Sequence, residues 1–291
     1  MYSLCNWLTR DCPKTERRMK SDFNEAISTL SEVVQNRPKP IREFDQIFMK
    51  NEDMVKQAAF LAQQFSGLKV VFVGDGDSMA LAVLHLWKRG LLPEGPAHLH
   101  VLDFDERIVK AINRFAEARG YRKYIAAELY NVAEPLPRRL IGRAEAFYTN
   151  PPWGASNGGE SVIAFVQRGM EALNSHGLAA VVVANDPAIR WTQQVLQRAQ
   201  RALLGDGFVI TELGGERRHY HIDDNPNLQS CTIVAKRLRS RPTGITSRKL
   251  DRESFRNFYG RNRHLNFKYV LERNGSSGGR GAAQEYELKP F

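Results

Sequence analysis

The 291-residue chain has no run of about eighteen apolar residues, which excludes a hydropathy-defined membrane helix. Its first residues, Met1-Tyr-Ser-Leu-Cys-Asn-Trp-Leu-Thr-Arg, lack the basic start and apolar core of a secretory signal. Cysteine is scarce. Cys5, Cys12 and Cys231 cannot form a fully paired framework, and Cys5 with Cys12 lacks two further nearby ligands for zinc. Packed or exposed thiols, no metal and a reducing, cytoplasmic setting are therefore expected. There is no Gly-x-Gly-x-x-Gly and no Gly-Lys-Ser/Thr, which argues against a dinucleotide-binding dehydrogenase and a P-loop enzyme. No internal repeat is present.

What remains is ordinary soluble composition with an uneven charge. The chain is 42% hydrophobic and 25% charged, with a net charge of +10. Between Lys236 and Arg280 there are 13 Lys/Arg against 3 Asp/Glu, so this stretch holds the whole surplus and the rest is neutral. Phe255, Phe258, Tyr259, Phe267 and Tyr269 are interleaved with those cations, a pattern that suits an anionic partner such as a nucleic acid; a solvated basic linker is the plain alternative.

Hydrophobic periodicity orders the chain. A helix is expected from an N-cap at Ser21 to before Pro38, and a second over 52–65, stopped by Gly67. Strands at Val70–Val73, Leu99–Leu102, Tyr124–Ala127, Ala146–Tyr148, Leu178–Val183 and Phe208–Ile210 alternate with helices at Met79–Lys88, Ile108–Ala118, Ser161–Leu173 and Ala188–Leu203. A seventh strand, Ser230–Val234, follows without a long helix and should pair antiparallel with the sixth. The succession predicts an α/β fold with a doubly wound, mostly parallel, Rossmann-like sheet of seven strands and an antiparallel last strand. The expected division is a helical N-terminal extension (1–66), a sheet domain (67–238) and a basic, partly flexible C-terminal extension (239–291). In the last of these, Arg241-Pro-Thr-Gly244 reads as a linker and Gly275–Gly281 as flexible.

Three strand-end features point to one site. Gly74-Asp75-Gly76-Asp77-Ser78 follows the first strand and opens a helix. Two aspartates there would repel a phosphate and suit a cationic cofactor such as S-adenosylmethionine. Asp103, last on the second strand and followed by Phe104, can accept the hydroxyls of a ribose, while Asp105 is placed to cap the next helix. Asn150-Pro151-Pro152-Trp153-Gly154 ends the fourth strand. Two prolines fix a stiff turn that presents an amide and an indole at the edge where open α/β sheets bind ligands.

The Asn-Pro-Pro-aromatic motif resembles the amino-methyltransferases that alkylate exocyclic nitrogens of bases or a glutamine amide. That resemblance implies that Asn150 and the Pro151 carbonyl hold the acceptor NH₂ while Trp153 stacks on it. Phe44-Asp45-Gln46, Gly74-Asp75-Gly76-Asp77, Val101–Arg107, Glu134-Pro-Leu-Pro137, Ala164–Gly169 and Gly207–Thr211 resemble the branched-chain polyamine synthases, the N4-bis(aminopropyl)spermidine synthase family, over about residues 40–235. This implies a class I methyltransferase-like fold with Phe44, Asp45 and Gln46 lining the cofactor pocket. The chain departs from that family's Gly-Asp-Asp-Asp at Gly76, and from its Asp-Pro-Pro-Glu at Asn150 and Trp153.

The expected function is methyl transfer from S-adenosylmethionine to an amine or amide nitrogen, with a nucleic-acid base as the favoured acceptor. The alternatives are aminopropyl transfer from decarboxylated S-adenosylmethionine to a polyamine, and a non-catalytic nucleic-acid-binding module. His219-Tyr220-His221 with Asp223 and Asp224 reads as a loop lining the acceptor site rather than a metal centre. Trp87 and Trp191 read as packing residues.

Overall fold

The computed structural model describes residues 13–222, 227–238, 246–273 and 286–291. Cys5, Cys12, Asp223, Asp224, the 241–244 linker and the 275–281 glycine run lie outside the described residues. The elements are α1 (Pro13–Asn36), α2 (Asn51–Gln64), β1 (Lys69–Val73), α3 (Met79–Lys88), β2 (His98–Asp103), α4 (Glu106–Ala118), β3 (Ile125–Leu129) and β4 (Ala144–Thr149). They continue with α5 (Glu160–Ala172), β5 (Leu173–Ala184), α6 (Arg190–Gly205), β6 (Phe208–His219), β7 (Gln229–Arg237), β8 (Tyr269–Glu272) and β9 (Tyr286–Lys289).

The seven-stranded sheet has the order β3-β2-β1-β4-β5-β7-β6, with β7 antiparallel to both β5 and β6. This is the expected doubly wound sheet with its reversed last strand. Buried strands point successive side chains to opposite faces, so each central strand feeds two cores. Val70, Phe72, Ala146, Tyr148, Ala180 and Val182 join one core under α1–α4. Val71, Val73, Phe147, Val181 and Val183 join the other, under α5 and α6. Gly169 lets α5 approach that second face: a Cβ there would lie 2.3 Å from the Phe147 ring. No helix among the described residues is long and apolar enough to cross a membrane.

Several boundaries differ from the sequence reading. Helix α1 runs through Ser21 and starts at Pro13, a residue whose fixed φ suits a first helical turn. Strand β6 extends to His219 rather than Ile210, pairing with β7 across two register shifts. Its later residues carry no alternating apolar pattern in the sequence; Gly214, Arg218 and His219 are held by their pairing with Thr232, Ser230 and Gln229 of β7.

The basic C-terminal stretch also differs. Phe258, Tyr259 and Phe267 are 0, 3 and 2% exposed and belong to the second core. Interleaving of aromatics with cations here marks a segment that packs one face and solvates the other, so these rings are not a stacking surface for nucleic acid. Buried Arg168 anchors the segment's start by donating to Glu171, to the Val132 carbonyl at 2.9 Å and to the Arg248 carbonyl at 2.7 Å.

Candidate functional site

The sheet reverses its order between β1 and β4, and the cleft opens at the carboxyl ends of those strands, the usual ligand edge of open α/β sheets. Local bonds align the ends. Gly74 N–H donates to the Leu102 carbonyl at 2.7 Å, and the Thr149 hydroxyl donates to the Val73 carbonyl at 2.7 Å. Gly74 has φ 73°, and a Cβ on it would fall 2.9 Å from Phe165, so the turn requires glycine there.

Asp75 closes the amino terminus of α3. Its carboxylate accepts from the Met79 N–H at 2.7 Å and the Ala80 N–H at 3.1 Å. Its own N–H donates to Asp103 Oδ2 at 2.8 Å, and Asp105 N–H donates to Asp103 Oδ1 at 2.9 Å. Asp103 is thus held by two backbone donors with lone pairs to spare. Asp105 caps α4 and is held by Arg107 at 2.6 Å and by Gln46 Nε2 at 3.0 Å. Gln46 also accepts from the Ile41 N–H at 2.7 Å, which ties the 41–46 loop to the end of β2.

Asp77 turns toward β4. It accepts from the Met49 N–H at 2.9 Å and from Asn150 Nδ2 at 3.2 Å, and Arg37 lies 3.6 Å from it. Asp75, Asp77 and Asp103 are all buried, and Arg37 acts on Asp77 most directly and on Asp75 beyond it. Burial pushes all three carboxyls above their ordinary range, Asp103 to about 7; Asp75 is raised further by Asp103 and Asp77. Such a cluster is electrostatically complementary to a cation.

All ten residues anticipated for the cofactor line this one cleft: Phe44, Asp45, Gln46, Gly74, Asp75, Gly76, Asp77, Asp103, Phe104 and Asn150. The acceptor motif is divided. Asn150 and Pro152 line the cleft, whereas Pro151 is buried beside it and Trp153 packs into the first core. Trp153 lies edge-on to Tyr220 at 5.0 Å, and its Nε1 is buried with no hydrogen-bond partner among the described residues. The expected indole stacking surface is therefore partly taken up by Tyr220.

The structure adds Ile47, Ile108, Tyr148 and Phe165 to the lining. Tyr148 Oη is likewise buried and unpartnered among the described residues, and burial with Tyr220, Asp77 and Asp75 suppresses its ionisation. Tyr148 looked like one more apolar strand residue, and nothing in the sequence separates it from Phe147 except strand parity. Arg37 carried no motif at all. His219 closes strand β6 rather than lying in a loop, donating from its main-chain N–H at 2.8 Å and from ring Nδ1 at 3.0 Å to Asp53, and Tyr220 is buried against Ser230. Among the described residues no three His, Cys, Asp or Glu gather as metal ligands.

Comparison with known proteins gives this geometry a family. The model for the branched-chain polyamine synthase A C-terminal domain matches residues 25–252. The chain is 31% identical over 194 residues to the N(4)-bis(aminopropyl)spermidine synthase of Thermus thermophilus, covering 65% of this chain and 50% of that protein. It is 28% identical over 197 residues to the synthase of the same name from Thermococcus kodakarensis, covering 66% and 51%. The chain thus spans about half the length of the curated relatives it matches.

The crystal structure of the Thermus thermophilus branched-chain polyamine synthase with N4-aminopropylspermidine and 5′-methylthioadenosine superposes with a TM-score of 0.63 at 25% identity, covering 78% of this chain and 67% of that one. A candidate RNA methyltransferase from Pyrococcus horikoshii shares the fold alone, at TM-score 0.51 and 15% identity, over 76% of this chain and 98% of that one. A class I methyltransferase-like sheet, an acidic cleft at its switch point and a match over most of the chain lead to one conclusion: the protein belongs to the branched-chain polyamine synthase A C-terminal domain family.

Proposed function

We propose that this protein transfers an aminopropyl group from decarboxylated S-adenosylmethionine to an amine acceptor. The observation that carries the reading is the buried carboxylate cluster Asp75–Asp77–Asp103, with Arg37 as the cation set against it, in a protein of this family. Decarboxylated S-adenosylmethionine carries a sulfonium and an ammonium with no carboxylate, so it matches that excess of negative charge better than S-adenosylmethionine itself. The relative crystallised with 5′-methylthioadenosine holds the thioether nucleoside that aminopropyl transfer leaves behind.

When bound, such a donor supplies a sulfonium-activated carbon; the acceptor nitrogen forms a C–N bond as the C–S bond breaks toward the neutral thioether, and the nitrogen loses a proton. Asp103 would accept the ribose hydroxyls, since its two oxygens are already oriented by backbone N–H groups. Asp75 and Asp77 would supply the field for the donor's positive charges. Asn150, held by Asp77, would present its amide oxygen to the acceptor nitrogen and keep the lone pair directed at the reacting carbon. The acceptor's proton has Asp77 within reach of the same amide.

Methyl transfer from S-adenosylmethionine remains the second reading, favoured by the neutral amide of Asn150 where a polycation would be served by a carboxylate. A nucleic-acid acceptor has less support, because the aromatic residues of the basic stretch are buried. Calorimetry with both donors, followed by chromatographic assay of 5′-methylthioadenosine, tests the proposal. Preference for the decarboxylated donor and amine-dependent release of the thioether support it. Tighter binding of S-adenosylmethionine, with methylated product and no thioether release, would overturn it in favour of the second reading.

A further inference from the structure

The segment from Glu253 to Glu272 lies beyond the residues matched by the family model, yet its rings pack directly behind two residues that line the cleft. Four rings converge there. Phe44 and Phe104, which line the cleft beside Asp103, stand 4.4 and 5.7 Å from Phe267 and 5.5 and 5.9 Å from Tyr259. Tyr259 and Phe267 stack on each other at 6.1 Å with planes 14° apart. The charged groups acting on the Tyr259 phenol are Asp103 and Asp45, both lining the cleft, and with burial they push its ionisation up.

The segment is fastened to each loop that frames this side of the cleft. Arg263 donates to the Arg42 carbonyl at 2.8 Å, on the loop carrying Phe44 and Asp45. Val270 N–H donates to the Phe104 carbonyl at 3.1 Å, directly after Asp103. Asn131, past the end of β3, donates to the Lys268 carbonyl at 2.7 Å, and Ser161, in the first turn of α5, donates to the Phe258 carbonyl at 2.6 Å. Glu272 N–H caps the arrangement on Glu106 at 2.9 Å, and Lys110 bridges both glutamates.

We infer that residues 253–272 back the wall of the nucleoside subsite, with Tyr259 as a positioning residue that sets Phe44 and Phe104 against the base of the donor. The inference rests on the donor reading above and adds to it a contributor from outside the matched family domain. A purine is planar and apolar on its faces, and a rigid cluster of rings next to a ribose-binding carboxylate is the surface that suits it. The wall is held by hydrogen bonds to several neighbouring segments, each with a main-chain atom on at least one side, so its rings are placed before the ligand arrives.

The test uses the intact chain and 5′-methylthioadenosine, which has the nucleoside and lacks the transferable group. Hydrogen exchange is followed with and without the saturating nucleoside, and binding is measured by calorimetry for wild type, Tyr259→Phe and Tyr259→Leu. The nucleoside is expected to slow exchange across 255–270. Tyr259→Leu should weaken its binding about tenfold and raise the donor KM similarly, while kcat and the acceptor KM stay within about twofold; Tyr259→Phe should stay within about threefold of wild type. Unchanged exchange at saturation, or wild-type nucleoside binding by Tyr259→Leu, overturns the inference. If Tyr259→Leu does not fold, the exchange experiment alone decides. A wild-type protein that binds no nucleoside at all removes the donor reading itself, a different outcome from nucleoside binding without protection of the segment.

Discussion

The two sides of the cleft are built by opposite means. On the side of the glycine turn, each carboxylate oxygen of Asp75 and Asp103 is met by a backbone N–H, and the turn conformation is fixed by Gly74. On the side of Asn150, side chains mostly hold side chains: Asn150 on Asp77, Asp77 on Arg37 beside its one main-chain bond from Met49, Trp153 on Tyr220, with Tyr148 Oη and Trp153 Nε1 buried and unpartnered among the described residues. A site held by main chain changes little when a neighbouring side chain is replaced. A site held by side chains can be retuned by one substitution, and orphaned buried polar atoms there are a standing cost that a ligand can relieve. Under the proposed function, the side held by main chain would resist retuning and the Asn150 side would admit it.

The comparison is broken most severely by Gly74→Ala. Positive φ and the collision with Phe165 should destabilise the protein by roughly 2–4 kcal/mol, read as a lower thermal midpoint with loss of nucleoside binding. Next in size is Asn150→Ala, which removes the acceptor-side amide. It should lower kcat by roughly 10- to 100-fold while leaving nucleoside affinity within about threefold, measured by steady-state kinetics beside calorimetry. Equal loss of both would mean that the two sides are not separable.

A smaller effect follows from pH. Asp103 has its carboxyl raised to about 7 in the folded protein, so the fold favours its protonated form. Stability from this group is therefore greatest below the ordinary carboxyl range and falls as pH rises toward 7. A cationic donor favours the ionised form, so its affinity should rise as pH increases from about 6 to 8, with proton release on binding in the lower part of that range. Calorimetry in two buffers of different ionisation enthalpy reads the proton, and the pH slope should become shallower in Asp103→Asn, with Asp75 and Asp77 carrying what is left.

The mildest change is Gly76→Asp. A Cβ there meets no atom within 4 Å, and the residue needs no positive φ, so the cost is electrostatic rather than steric: repulsion from buried Asp75 and Asp77 should lower stability by about 1 kcal/mol. The added carboxylate should tighten binding of spermidine as a probe acceptor, and no tightening would place Gly76 away from the acceptor's charge.

The sequence made the donor side legible because its chemistry is tied to chain order: each glycine or acid sits within a residue or two of a strand end, and strand ends converge in a parallel sheet. Asp103 and Asp105 separated cleanly, the first facing the cleft and the second capping α4. The acceptor side was less readable. Pro152, to which the motif gave no role, lines the cleft, while Trp153 turns into the first core, because the orientation of an indole after two prolines depends on Tyr220, some seventy residues away and just past a strand longer than its apolar pattern. The aromatics after Lys236 were visible as a pattern, but the same pattern describes an exposed stacking face and a buried seam. Only tertiary contacts distinguish them.

The wall formed by Tyr259 and Phe267 has a consequence for how the protein is made. Its fastenings join residues far apart in the chain, Arg263 to Arg42 across 221 positions and Glu272 to Glu106 across 166. Contacts of such separation form late, after the loop-closure entropy has been offset by a folded body. On the ribosome, the sheet can assemble while the wall is still being synthesised. Competence to bind the nucleoside would then follow the folding of the sheet as a separate step.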